Sequence, residues 1–152
     1  MNIREYNKED YPEVRRLYMD GRRRELATAN LSGVIELEED RVKFEKFNKG
    51  KILVVDVDEE ICGFICLNPP EVSLLYISQK HTGKGYGKKL LEEGIKELKE
   101  GFKDEKICLD LFKDNIKAKS LYKSLGFEVA YDFKRVVSGE EKNLTHMELE
   151  VG

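Results

Sequence analysis

Tryptophan is absent from this 152-residue chain, and proline (3), cysteine (3) and histidine (2) are scarce. With only His81 and His146 available, and neither near a cysteine in sequence, no zinc-type ligand set can be drawn. Cys62 and Cys66 fall in one expected strand, about 13 Å apart at strand rise, too far for a disulfide. Together with Cys108 they are expected to be reduced, buried thiols. No apolar run approaches the roughly 20 residues of a membrane helix. The charged start Met1-Asn-Ile-Arg-Glu5 has no signal-type apolar segment, so a cytoplasmic location off the membrane is expected. An excess of one charge is also missing. The 27 Lys+Arg against 30 Asp+Glu leave a net charge of −3, which argues against a general nucleic-acid surface.

What is present suits one globular domain over residues 1–152. Hydrophobic residues make up 40% of the chain, enough for a core, and 38% are charged. Asn2–Tyr6 reads as a first strand. Asp10-x-x-Glu13 resembles a capping box with Pro12 in the first turn. Val14, Leu17 and Tyr18 mark a helix face that is expected to end near Gly21. A second helix is expected over Glu36–Phe47. Lys51–Val57, Ile61–Leu67 and Val72–Ile77 read as an antiparallel meander. A helix with Leu90, Leu91, Ile95 and Leu98 on one side follows. Ile107–Phe112 is a strand, and Ile116–Ser124 a helix stopped at Gly126. Phe127–Val137 and Leu144–Val151 are the last strands, joined by Ser138–Glu141.

Between the third meander strand and the helix that follows, Gly83, Gly85 and Gly87 alternate. Strand, glycine loop and helix in that order make an anion site, because the free N–H groups of the helix start and the positive end of its dipole point into the loop. A phosphate-bearing ligand is the expectation. The spacing is not that of a Walker loop, which needs Gly, four residues, then Gly-Lys-Ser/Thr. Nor is it the dinucleotide fingerprint, since Lys88 or Leu90 stands where a third glycine belongs.

Thr82-Gly83-Lys84-Gly85-Tyr86-Gly87 resembles the acetyl-CoA loop of the GNAT superfamily (Gcn5-related N-acetyltransferases), written Gln/Arg-x-x-Gly-x-Gly/Ala. Asn115-Ile-Lys-Ala118-Lys-Ser-Leu121-Tyr122-Lys-Ser-Leu125-Gly126-Phe127 resembles that family's Asn-x-x-Ala-x-x-Leu-Tyr-x-x-x-Gly-Phe segment. The two cover roughly Val72 to Phe127. The resemblance implies an α+β domain layered α/β/α, with a mixed, mostly antiparallel sheet of about seven strands and about four helices, in the order βααβββαβαββ. It implies acetyl-CoA as co-substrate, no metal, and acetyl transfer to a primary amine by direct attack in a ternary complex. A small-molecule or peptide amine is the implied acceptor, without nucleic acid or membrane, and a homodimer is a possible assembly. A non-catalytic CoA-binding sensor is the alternative, to which Thr82 in place of Gln or Arg lends support.

The same resemblance assigns the site. N–H groups near Tyr76 and Ile77 would bond the pantetheine arm and polarise the thioester carbonyl. Thr82 to Lys88 would hold the pyrophosphate, with Lys84, Lys88 and Lys89 supplying the charge a loop arginine would otherwise bring. Asn115 would bond the pantetheine or simply cap its helix. Tyr122 would protonate the leaving thiolate. Glu71 is the expected base, with water as an equal alternative. The acidic run Glu36–Asp40 is expected to favour a cationic amine.

Overall fold

Strand β3 (Glu60–Asn68) is buried on both faces, as its unbroken run Ile61-Cys-Gly-Phe-Ile-Cys-Leu67 demands. Phe64 and Cys66 face one apolar layer, and Ile65 and Leu67 face the other. The computed structural model describes residues 1–101 and 106–151 of the expected domain. Around β3 lie β1 (Asn2–Glu5), β2 (Lys51–Val57), β4 (Glu71–Ile77), β5 (Ile107–Phe112), β6 (Glu128–Val137) and β7 (Glu140–Leu149). The helices are α1 (Tyr11–Thr28), α2 (Arg41–Lys49), α3 (Tyr86–Gly101) and α4 (Ile116–Ser124). The expected order βααβββαβαββ is the observed one.

The sheet runs β1-β2-β3-β4-β5-β7-β6. Every neighbouring pair is antiparallel except β4 with β5. Val14 and Tyr18 of α1 and Phe47 of α2 pack on one face with Phe64. Leu90, Leu91 and Leu98 of α3 pack on the other with Ile65, Leu67 and Phe127. This is the layered α+β arrangement that the resemblance implies.

Four boundaries differ from the sequence reading by more than two residues, each for a physical reason. The capping box lies one turn early: Asn7 Oδ1 accepts from Glu9 N–H at 3.1 Å, and Asp10 Oδ2 accepts from Asn7 N–H at 2.9 Å. Asp10 also takes a two-pronged bond from Arg4, at 2.8 and 3.0 Å. Helix α2 starts at Arg41, because Asp40 Oδ1 caps it through Lys43 N–H at 3.2 Å. Strand β7 begins at Glu140: Ser138 and Gly139, with φ of 51° and 78°, make a two-residue hairpin turn, and exposed charges after it do not prevent pairing.

The fourth difference concerns α1, which continues through Gly21 for two more turns. This glycine is a point of close approach instead of a helix end. A Cβ there would lie 2.3 Å from Cδ1 of Tyr76, whose ring packs edge-on against Tyr18 with centroids 5.5 Å apart. Gly21→Ala is therefore expected to lower stability by about 1–3 kcal/mol through overpacking, although alanine is the better helix former by about 1 kcal/mol. A denaturation midpoint equal to or above that of the parent would show that the ring yields freely.

Candidate active site

Parallel strands β4 and β5 share a single registered pair, Glu71 with Cys108. Cys108 N–H also donates to Pro70 O at 3.1 Å, which closes that end. Past this pair no β4 residue is registered with β5, and a cavity of about 550 Å³ is lined by both strands. The ladder to β3 decides which backbone groups face the opening. Ser78 N–H donates to Cys62 O at 2.7 Å. Alternation along an antiparallel pair then directs Tyr76 N–H to β3 and turns Ile77 and Leu75 toward β5. The expectation of N–H donors at both Tyr76 and Ile77 is thus corrected to Ile77 and Leu75. Ile77 O accepts from Arg24 at 2.7 Å.

At the open end of β4 the chain enters the glycine loop. Gly83 and Gly85 have φ of 79° and 83°, and among the described residues no atom beyond the chain neighbours lies within 4 Å of where a Cβ would project from either. Lys89 N–H donates to Gly85 O at 3.1 Å, so Tyr86, Gly87 and Lys88 keep N–H groups without an intrahelical acceptor. Lys84, Lys88 and Lys89 are exposed around them, against the preference of a helix start for negative charge. Thr82 is turned back on its own loop. Its hydroxyl donates to Gln79 O at 2.9 Å, and its N–H to the same oxygen at 3.3 Å. His81 keeps its Nδ1 buried and without a partner among the described residues.

Helix α4 brings two of the expected residues to the opposite side. Asn115 Oδ1 caps it by accepting from Ala118 N–H at 3.3 Å. Tyr122 lines the cavity and packs on Phe127, with centroids 5.9 Å apart. Burial, and then the charge of Glu25, push its phenol up. Glu25 belongs to α1, on the other face of the sheet. Both Glu25 and Tyr122 line the one cavity, so the gap between β4 and β5 opens one face to the other.

Glu25 is the residue that the sequence reading misses. Its Oε1 accepts from Arg22 at 2.6 Å and from Tyr76 Oη at 2.8 Å, while Oε2 makes no bond among the described residues. The Tyr76 phenol is pushed well up, first by burial and then by Glu25, so it remains a donor. Glu25 continues the stripe Val14, Tyr18, Gly21, and a helix carried past Gly21 would have revealed a carboxylate on the buried face.

Glu71, by contrast, sits at the closed end of the strands. It is ion-paired with Lys46 and accepts from Ser73 Oγ at 2.9 Å. Six residues of strand, ~20 Å, separate it from Ile77. Two members of the acidic run are also engaged: Glu38 accepts from Tyr11 and from Arg15 Nε at 2.9 Å, and Glu36 lies 3.5 Å from Arg15. Burial pushes the Cys66 thiol up to about 12 and the Cys108 thiol up to about 11, so neither is a thiolate at neutral pH. Among the described residues, no group of three His, Cys, Asp or Glu is placed to hold a metal ion, and no helix is long and apolar enough to cross a membrane.

Comparison with known proteins bears on this geometry. The family model described as "Acetyltransferase (GNAT) family" matches residues 4–127. A 5-NmdU N-acetyltransferase of Pseudomonas phage PaMx11 is 36% identical over 90 residues, 55% of this chain and 61% of the relative. A spermine/spermidine N(1)-acetyltransferase of Bacillus subtilis is 42% identical over 53 residues, 35% of each chain. The chain thus spans about three fifths of the first relative and about a third of the second. In fold it is similar to yncA, a putative acetyltransferase of Salmonella typhimurium solved with its cofactor acetyl-CoA. That match has a TM-score of 0.75 at 21% identity and covers 100% of this chain and 94% of that one.

Proposed function

This chain belongs to the acetyltransferase (GNAT) family, and on that premise we propose that residues 1–152 form one cytoplasmic acetyltransferase domain that moves the acetyl group of acetyl-CoA directly to a primary amine. The observation that carries the reading is the cavity through the β4–β5 gap, with Glu25 on one side and Tyr122 on the other. Acetyl-CoA supplies an activated acyl group on sulfur. The residues present fit it. The open space at Gly83 and Gly85, the free N–H groups of Tyr86, Gly87 and Lys88, and the three lysines suit a pyrophosphate. Thr82 shapes the loop and contributes no donor of its own. N–H groups of Ile77 and Leu75 suit the arm and the carbonyl. Asn115 has an amide nitrogen left for the arm beside its capping oxygen.

The chemistry needs a neutral amine and a donor at the sulfur. Glu25 Oε2 takes the proton that the attacking nitrogen sheds as the new C–N bond forms. Tyr122 Oη donates to the sulfur as the C–S bond breaks. Proton acceptance passes from Glu71 to Glu25 in this reading, because Glu71 is held by Lys46 away from the open end. No cysteine is among the residues that line the cavity, which favours direct transfer over a covalent intermediate.

Release of free thiol from acetyl-CoA over a panel of primary amines tests the proposal. No release with any amine, together with tight CoA binding, would leave the CoA-binding sensor as the reading. The loop has its own test. Gly85→Val is expected to weaken CoA binding by roughly 5–150-fold in calorimetry, because a β-branched residue cannot adopt a φ near +83° without strain of about 1–3 kcal/mol. Gly85 is exposed, so the fold should survive. Unchanged affinity would place the donor elsewhere.

A further inference from the structure

The α1–α2 side of the cavity is where an acceptor would enter, and its charges are almost all matched internally. Glu25 holds Arg22 at 2.6 Å, Glu71 holds Lys46, and Asp110 holds His146 at 2.7 Å and Arg135 at 3.4 Å. Asp40 caps α2. One cation in the lining lacks an ion pair, the half-buried ammonium of Lys43, whose side chain makes no hydrogen bond or ion pair among the described residues. It stands in the first turn of α2, where a cation opposes the helix dipole.

We propose that Lys43 anchors a carboxylate carried by the acceptor, so that the acceptor is an amino acid or a similar amino-carboxylate instead of a polyamine. The proposal rests on the acetyl-transfer reading and narrows it. The amine end faces Glu25 on α1 and the acid end faces Lys43 on α2, across one cavity. Burial, and then the charge of Arg22, hold the Lys43 ammonium below its usual value, with Glu25 and Asp40 countering and Arg135 adding to the effect. A bound carboxylate relieves that conflict, whereas a second cation deepens it. Of the acidic run that could have drawn a polyamine, Glu36 and Glu38 are tied up by Arg15 and Tyr11 and Asp40 caps α2.

The test compares a panel of amino acids with their carboxamides and with spermidine, at fixed acetyl-CoA, by thiol release. The active amino acids should exceed their carboxamides in kcat/KM by roughly 10–100-fold, the range of one charge-assisted bond. Lys43→Met should reduce that ratio to within about threefold of unity, leaving the KM for acetyl-CoA unchanged, and Lys43→Arg should restore it. Equal use of the carboxamides, or a preference for spermidine, by the parent would overturn the inference while leaving acetyl transfer intact. No turnover with any amine would instead fail the transfer reading. Amino-acid binding to the CoA-loaded protein, measured by calorimetry, then decides the carboxylate site: binding lost in Lys43→Met supports it, and no binding by the parent refutes it.

Discussion

Replacing Tyr122 by phenylalanine is expected to lower kcat by roughly 10²–10⁴-fold, the range of a positioned proton donor, while CoA affinity stays within about twofold. The ring would keep its contacts with Phe127 and the α3-side core, so packing should not change. Burial and Glu25 raise the phenol above its ordinary value near 10, whereas a free thiol titrates near 8.5. Full transfer from phenol to sulfur is therefore uphill. The phenol acts by donating a hydrogen bond as negative charge builds on the sulfur; the amine proton stays with Glu25, and the departing thiolate takes its lasting proton from solvent. Steady-state kinetics and calorimetry on Tyr122→Phe check this. Activity equal to the parent would reduce Tyr122 to a packing residue.

Glu25→Gln should produce a second large loss, also roughly 10²–10⁴-fold in kcat, while Glu71→Gln should fall within about threefold of the parent. The amide keeps the size of the carboxylate and an oxygen for Tyr76 Oη, but it cannot take a proton from the amine. It also leaves Arg22 without its anion. The kinetics must therefore be read beside a thermal melt and a CoA titration, to separate lost chemistry from a loosened cavity. If Glu25→Gln turned over as fast as the parent, the proton would pass to solvent, and Glu25 would serve only to hold Arg22 and Tyr76. If Glu71→Gln were the crippled variant, proton acceptance would return to Glu71.

The order of elements could be read from sequence because periodicity, turn chemistry and the glycine loop are local signals. Gly83 and Gly85 stand where a left-handed backbone is required, and glycine is the residue that adopts it cheaply. Tyr122 came from a spaced motif. Glu25 did not, because Gly21 has two meanings that sequence alone cannot separate: a helix end, or a place where another element must come close. Only Tyr76, brought against it by the sheet, selects the second. The Lys46–Glu71 pair was hidden for a similar reason, since it joins α2 to β4. The backbone direction of Tyr76 depends on the register with β3, which is a property of two strands and not of one.

The single registered pair between β4 and β5 has a consequence beyond chemistry. Open strand edges usually lie at the outside of a sheet, where they recruit strands from other molecules and seed aggregation. Here two open edges face one another inside the domain, overlooked by α1 through Glu25 and by α4 through Tyr122. The unpaired backbone is available to a slender extended guest but is sheltered from a second copy of the chain. The protein can thus leave part of its sheet unzipped for a ligand without exposing it to self-association.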